Sequence, residues 1–292
     1  MITDVKLSQK SGDEPRLLFA AESGGEQGLG IFCYHFADET FFEAISAHHM
    51  VILQLGAPTP IFCKVGNRTL EHIAPVGNVT ICPAETEASA RSAKGFVGLL
   101  LTIPADPLAL ISAEQAHVKA QLSIKLSGID DTLLAIAKDL VHEAAGDFSS
   151  GAIYWHELTE ELIEHLVLEH CMHGRIHGRG VLAPDKLECI NQYVLAHLAE
   201  PIDVDTLADV ACRGRWQFPR IFRRSVGMSP YQYIIRLRLK RALKDIKAGG
   251  MSLAEIALAS GFVDQSHLNR WMRRIYGTSP GQFANDRSRR AA

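Results

Sequence analysis

The apolar residues of this chain change their spacing near residue 104. Before that point, residues 29–36, 50–55, 60–65, 78–82 and 95–103 form short runs rich in Ile, Val, Leu and Phe. Gly, Pro, Asn and Asp punctuate the gaps, so the pattern predicts short strands of an all-β sandwich or barrel. After it, residues 107–119, 129–145 and 152–173 carry apolar side chains at steps of three and four, the period of an amphipathic helix. Gly146 and Gly174 stand where the last two of these helices are expected to stop. Leu158, Leu162, Ile163, Leu166 and Val167 form a broad apolar stripe on the third, which needs either the barrel or a second copy of the chain against it.

Residues 174–184 are glycine-rich, lack periodicity and end on Pro184, which marks a linker. Everything beyond reads as helix: 185–198, 205–212, 215–224, 230–248, 253–260 and 265–275. The expected architecture is therefore α+β with two domains. Residues 1–178 form the β-rich half with its helical extension, 179–185 the linker, and 186–286 an all-α half.

The all-α half repeats itself. Residues 218–233 align with 268–283 at an offset of 50, with Arg220/Arg270, Arg223/Arg273, Arg224/Arg274, Gly227/Gly277, Ser229/Ser279, Pro230/Pro280 and Gln232/Gln282 identical. Upstream, Leu207-Ala208 matches Ile256-Ala257 at an offset of 49, so the turn within each unit differs by one residue. Each unit is a short helix, a tight turn and a basic helix, the pattern of a helix-turn-helix. Ser229-Pro230 starts the connecting helix and Gly249-Gly250 stops it. Its nineteen residues span roughly 28 Å, close to the ~34 Å between successive major-groove faces. One chain is thus expected to meet two adjacent major grooves of double-stranded DNA.

Charge supports the division. The net charge of −3 averages two unlike halves. From Asp185 onward, 18 lysines and arginines face 10 acids; the first 184 residues keep 12 and 23 of the totals of 30 and 33. A half of +8 suits a polyanion and a half of −11 avoids one.

On these residues the C-terminal half resembles the AraC/XylS-type DNA-binding domain. The resemblance rests on residues 222–230 and 236–242, on Ile256-Ala257, and on 261–268 and 276–280. It implies a transcription regulator, mostly of the activator kind, with RNA polymerase as a further partner. It also implies base-reading positions at Arg215, Trp216 and Arg220 in the first unit. In the second unit they fall at Gln265, Ser266, His267, Asn269 and Arg270. Gln265 and Asn269 carry the donor–acceptor pair that matches adenine, and arginine matches guanine. Arg220 is equally consistent with a phosphate or intradomain ion-pair role, and Trp216 with capping the core. Arg223, Arg224, Arg273 and Arg274 are expected to meet phosphates. Pro219 departs from the pattern, because a proline within a helix beginning at 215 removes a backbone bond and kinks it.

In the N-terminal half, residues 76–84 resemble a segment of the cupin-like sensing domain of AraC-type regulators. This implies a cupin-like β-barrel that binds a small-molecule effector and supports a homodimer. Alternatives are a half that only dimerises, or a cupin enzyme tethered to DNA. The second is disfavoured because His48, His49 and His72 do not supply the HxH ligand set of metal-dependent cupins. His165, His170, Cys171, His173 and His177 have zinc-binding chemistry, but Gly174 and Gly178 break their spacing and no metal site is expected. No catalytic constellation, cofactor motif, disulfide framework, signal segment or membrane span is read, which places the chain in the cytoplasm.

Overall fold

The computed structural model describes residues 8–11, 15–26, 28–117, 121–146, 148, 150–172 and 180–290. Ten strands come first: β1 Ser8–Ser11, β2 Arg16–Glu22, β3 Gly30–Phe36, β4 Thr40–Ala44, β5 His49–Gln54, β6 Thr59–Val65, β7 Arg68–Ala74, β8 Val79–Cys82, β9 Ala88–Ser92 and β10 Phe96–Ile103. They form two five-stranded antiparallel sheets, ordered β1-β4-β9-β6-β7 and β2-β3-β10-β5-β8. Among the described residues no strand belongs to both sheets. The strand pattern had suggested a sandwich or a barrel; this is not a closed barrel.

Strand β10 lies at the centre of the second sheet, with Leu101 opposite Ile31 on one side and Val51 on the other. Its near-continuous apolar run reflects burial on both faces. Leu99, Leu101 and Ile103 join a core with the helices that follow, while Leu100 packs with Ala44, Val65 and Ala88 of the first sheet.

The helices that cover this sheet are α1 Ala105–Glu114, α2 Asp131–Ala145 and α3 Ala152–His170, accompanied by a small pair of strands, β11 Gln121–Leu122 and β12 Cys171–Met172. Leu158, Leu162, Ile163, Leu166 and Val167 are buried with Leu133, Leu140 and β10. The apolar stripe of α3 is therefore covered by its own chain. The third helix ends earlier than expected: Cys171 turns into extended backbone and pairs with Leu122. The expected stop at Gly174 lies outside the described residues.

The C-terminal half contains α4 Pro184–Ala196, α5 Val204–Val210, α6 Phe218–Val226, α7 Pro230–Ala248, α8 Leu253–Ala259, α9 Gln265–Tyr276 and α10 Pro280–Arg290. The two halves share their cores. Leu110 and Ala113 of α1 are buried with Leu187, Ile190, Phe222 and Tyr233, and Ile153 of α3 with Leu239, Leu243 and Phe283. Asn191 donates to the Ala113 carbonyl at 2.6 Å and accepts from the Tyr233 hydroxyl at 2.7 Å.

Ion pairs run along the same seam. Arg236 meets Asp106 at 2.5 Å, and Lys240 meets Glu114 at 2.9 Å and Glu160 at 3.4 Å. Lys247 meets Glu157 at 3.3 Å and Arg274 meets Glu26 at 2.6 Å. In each pair the acid comes from the acidic half and the base from the basic half. The charge division thus serves contact between the halves as well as any polyanion.

Candidate nucleic-acid interface

The two helix-turn-helix units superpose bond for bond in their turns. In the first, Ala211, Cys212 and Arg213 donate to the carbonyls of Leu207, Asp209 and Ala208 at 3.0, 2.9 and 2.9 Å. In the second, Ser260, Gly261 and Phe262 donate to Ile256, Leu258 and Ala257 at 3.0, 3.0 and 2.9 Å. The turn needs a left-handed residue, which is Gly261 at φ 82° in one unit and Cys212 at φ 53° in the other. A side chain at Gly261 would meet the Leu198 carbonyl at 2.0 Å, so only glycine fits there.

Many of the identical residues of the repeat turn out to be helix punctuation. Ser229 and Gln232 form a capping box at the start of α7, with Ser229 N–H donating to Gln232 Oε1 at 3.0 Å. Ser279 and Gln282 repeat that bond at 3.0 Å at the start of α10. Gly227 and Gly277 are left-handed caps of α6 and α9. Helix α7 covers the nineteen residues expected of it and buries Tyr233, Ile234 and Leu237 against the first unit and Leu239, Leu243 and Ile246 against the second.

The reading helices begin differently. Asp264 caps α9 by accepting from His267 N–H at 2.7 Å, so the helix starts at Gln265. At the equivalent place the first unit has Gly214, which offers no capping side chain. There Gln217 and Phe218 donate to the Gly214 carbonyl at 2.9 and 3.0 Å, and α6 starts only at Phe218. The expectation of a helix from 215 kinked at Pro219 is corrected by this start. Pro219 falls in the first turn, where its missing N–H had no intrahelical partner to lose. Arg215 and Trp216 consequently sit on the turn before α6 rather than on the helix.

Exposure separates the candidate side chains. Arg215, Trp216, Arg220, Arg223 and Arg224 are exposed around α6, while Phe218, Ile221 and Phe222 are core. Trp216 is 85% exposed, with the Arg215 guanidinium 4.9 Å from its ring centre. Arg215 also reaches Asp205 at 3.8 Å. On α9, Gln265, Ser266, Arg270 and Arg273 are exposed, and Leu268, Met272 and Ile275 are buried.

Two candidates, His267 and Arg274, are engaged within the protein and a third, Asn269, is partly enclosed. His267 accepts the Trp271 indole N–H on Nε2 at 2.9 Å and meets Phe262 edge to face. Asn269 has its Oδ1 enclosed without a partner among the described residues. Arg274 is bound to Glu26 by its side chain at 2.6 Å, and its carbonyl accepts from Glu26 N–H at 2.9 Å.

Away from this face, the helix histidines find a partner that their spacing did not show. His165 and His170 both donate from Nε2 to the Asp130 carboxylate, at 2.9 and 2.7 Å, and Asp130 caps α2 through Leu133 N–H. Burial pushes the Asp130 carboxyl up, but these hydrogen bonds outweigh it and hold the group at about 2. The three ligand atoms lie within 4.8 Å of one another and could hold an ion. Hydrogen bonding and capping account for their geometry without one. Asp130 lies 35 residues before His165, so no local spacing marks it. His173 and His177 lie outside the described residues.

Comparison with known proteins agrees with this geometry. A family model described as a helix-turn-helix domain matches residues 207–286. The HTH-type transcriptional regulator GbdR of Pseudomonas aeruginosa is 33% identical over 178 residues, covering 59% of this chain and 48% of that one. The probable transcription factor PqrA of Proteus vulgaris is 32% identical over 84 residues, covering 29% of this chain and 69% of that one. The chain spans 38–48% of the length of the first curated relatives it matches. Among solved structures, a transcriptional regulator with an AraC-type DNA-binding domain from Chromobacterium violaceum is 28% identical and covers 36% of this chain and 93% of that one, with a TM-score of 0.34. With its duplicated helix-turn-helix, its linking helix, the matching family model and these curated relatives, the chain belongs to the AraC-type helix-turn-helix transcription regulators.

Proposed function

We propose that this regulator reads specific operator DNA by placing α9 and the α6 region of one chain in two adjacent major grooves. The observation that carries this reading is the exposure of the same repeat positions in both units, Arg215 with Gln265, Trp216 with Ser266 and Arg220 with Arg270, over fully buried cores. A large aromatic left open to water beside arginines suits a sugar or thymine-methyl contact. Helix α9 is the principal reader, through Gln265, Ser266 and Arg270; His267 has to leave Trp271, and Asn269 its enclosed position, to reach bases. Arg223, Arg224, Arg273 and Arg274 neutralise phosphates.

The N-terminal half, residues 1–178, acts as a cupin-like sensing and dimerising unit, joined through 179–185 to the DNA-binding unit 186–286. Two facing antiparallel sheets support the cupin-like reading. Likeness to the family supports the reading that the chain activates through RNA polymerase in the cytoplasm.

Footprinting followed by binding titrations tests the assignment. Arg270→Ala should cost about 1–3 kcal/mol on the cognate site and relax the preference at one base pair. Gln265→Ala should relax a neighbouring one. Unchanged affinity and preference in both variants would sink the assignment of α9.

A further inference from the structure

Asp130, His165 and His170 bring three metal-binding atoms to one point. Both imidazoles aim Nε2 at the same carboxylate oxygen, His165 from 2.9 Å and His170 from 2.7 Å. Bonds of about 2.0–2.2 Å to a common ion place neighbouring ligand atoms roughly 3.0–3.4 Å apart. The rings therefore need to open by only a few tenths of an ångström to admit one.

The ligands stand on backbone held from several sides. Asp130 caps α2 by accepting Leu133 N–H at 2.9 Å. Just before it, Val79 N–H donates to the Gly128 carbonyl and Ile81 N–H to the Lys125 carbonyl, each at 2.8 Å, which ties this segment to β8. At the end of α3 the His170 carbonyl accepts Ser123 N–H at 2.8 Å, and Cys171 pairs with Leu122. Ligands fixed in this way lose little freedom when an ion arrives.

The donor set selects the ion. Two imidazoles and one carboxylate suit Zn²⁺, Co²⁺ or Ni²⁺, whereas Ca²⁺ and Mg²⁺ demand oxygen ligands. Three protein ligands leave further positions to water. The side chains of His165, Asp130 and His170 are 17%, 11% and 9% exposed, sheltered yet within reach of solvent. Cys171 offers no thiolate beside them, because burial pushes its thiol up to about 11. In the free protein the Nε2 hydrogens hold the group together. An ion replaces them, and each hydrogen passes to Nδ1 or to water.

We propose that Asp130, His165 and His170 form a divalent transition-metal site of the zinc class, which clips the segment before α2 to the end of α3. Glycines interrupt the histidine cluster along the sequence, but the ligand that completes it stands 35 residues upstream of His165. The site lies away from the DNA-contacting face, and its occupancy is independent of the reading of α9.

The test uses the full chain without a histidine tag, stripped by a chelator. Calorimetric titration with Zn²⁺ should show one tight equivalent. Asparagine caps a helix as well as aspartate, so Asp130→Asn keeps the start of α2 and removes the charged ligand. It should weaken Zn²⁺ at least about tenfold, no less than loss of an outer-shell partner does, and so should His165→Ala and His170→Ala. Nitrogen spectra of the histidine rings should show Zn²⁺ converting two rings to the form protonated on Nδ1, and each histidine variant should lack one of them. Zn²⁺ should raise the unfolding midpoint of the native chain and leave that of Asp130→Asn unmoved. If a histidine variant fails to fold, Asp130→Asn decides, its fold judged from its metal-free unfolding transition. Absence of a tight equivalent overturns the site, and so does one that survives all three substitutions. An equivalent lost only on replacing His173 and His177 together overturns it as well.

Discussion

Asp106 and Arg236 make the most consequential polar contact of the seam. The Arg236 side chain is 2% exposed, and its Nε and Nη1 have no hydrogen-bond partner among the described residues. Only Nη2 is compensated, by Asp106 at 2.5 Å, with Glu26 standing 3.8 Å away. Removing one partner of a buried pair strands the other charge and typically costs about 3–5 kcal/mol. Asp106 is 41% exposed, and Glu26 can move closer, so Asp106→Asn should cost about 2–3 kcal/mol, below that range. For a chain of this size the loss corresponds to roughly 5–10 °C in unfolding midpoint. Urea and thermal unfolding measure it, with Arg241→Ala as a control. Arg241 pairs with Asp245 at 3.3 Å in the open, and its loss should stay within about 0.5 kcal/mol. Replacing both seam partners, Asp106→Leu with Arg236→Met, should recover most of the stability, because no charge is then stranded. A single substitution as mild as the control, or a double one as damaging as the single, would refute the argument.

Other outcomes follow from local geometry. Cys212→Gly relieves a left-handed residue that carries a Cβ and should stabilise the first unit by about 1 kcal/mol in denaturant unfolding. Gly261→Ala, at the matching place, should destabilise by more than about 2 kcal/mol, since the added carbon meets the Leu198 carbonyl. Pro219→Ser should leave stability unchanged or slightly lower, because proline suits the first turn of α6; a gain would show that the helix is held back by it. His49 is buried and neutral, its pKa pulled to about 4 first by burial and then by His48, and its Nδ1 accepts the Ala84 N–H at 2.9 Å. Its folded pKa lies below the unfolded one, so the unfolded chain binds the proton first. Stability should therefore fall as pH drops from about 6.5 toward 4, and His49→Gln should flatten that slope in unfolding midpoints measured against pH.

The element pattern of the C-terminal half was legible because each helix carries both a period and punctuation. Helix α7 falls on residues 230–248 as read, fixed by Ser229-Pro230 and Gly249. The start of α6 was misread because the alignment of 218–233 with 268–283 suggested equal helices. The missing cap at Gly214 and the early Pro219 together delay the first by a turn. Strands β3, β5, β6, β8 and β10 were legible from their apolar runs. Strands β1, β2, β4, β7 and β9 were not: β7 is largely exposed and β9 is built of small and polar residues, so neither of these two carries a hydrophobic signal. The candidate readers at 215–216, 220, 265–266 and 270 lie on the surface as their positions imply. The partner of His267, Trp271, lies one helical turn on, whereas the partner of Arg274 is one that local spacing cannot show. For Arg274 the neighbour lies 248 residues away.

The unequal starts of α6 and α9 have a consequence for the operator. The two units follow one another in one chain and are built on the same pattern. They also present unlike side chains at matching places: arginine against glutamine, tryptophan against serine, proline against asparagine. A single chain that uses both therefore reads an asymmetric sequence with a defined orientation. Inverting the site relative to a promoter would then turn the whole regulator around.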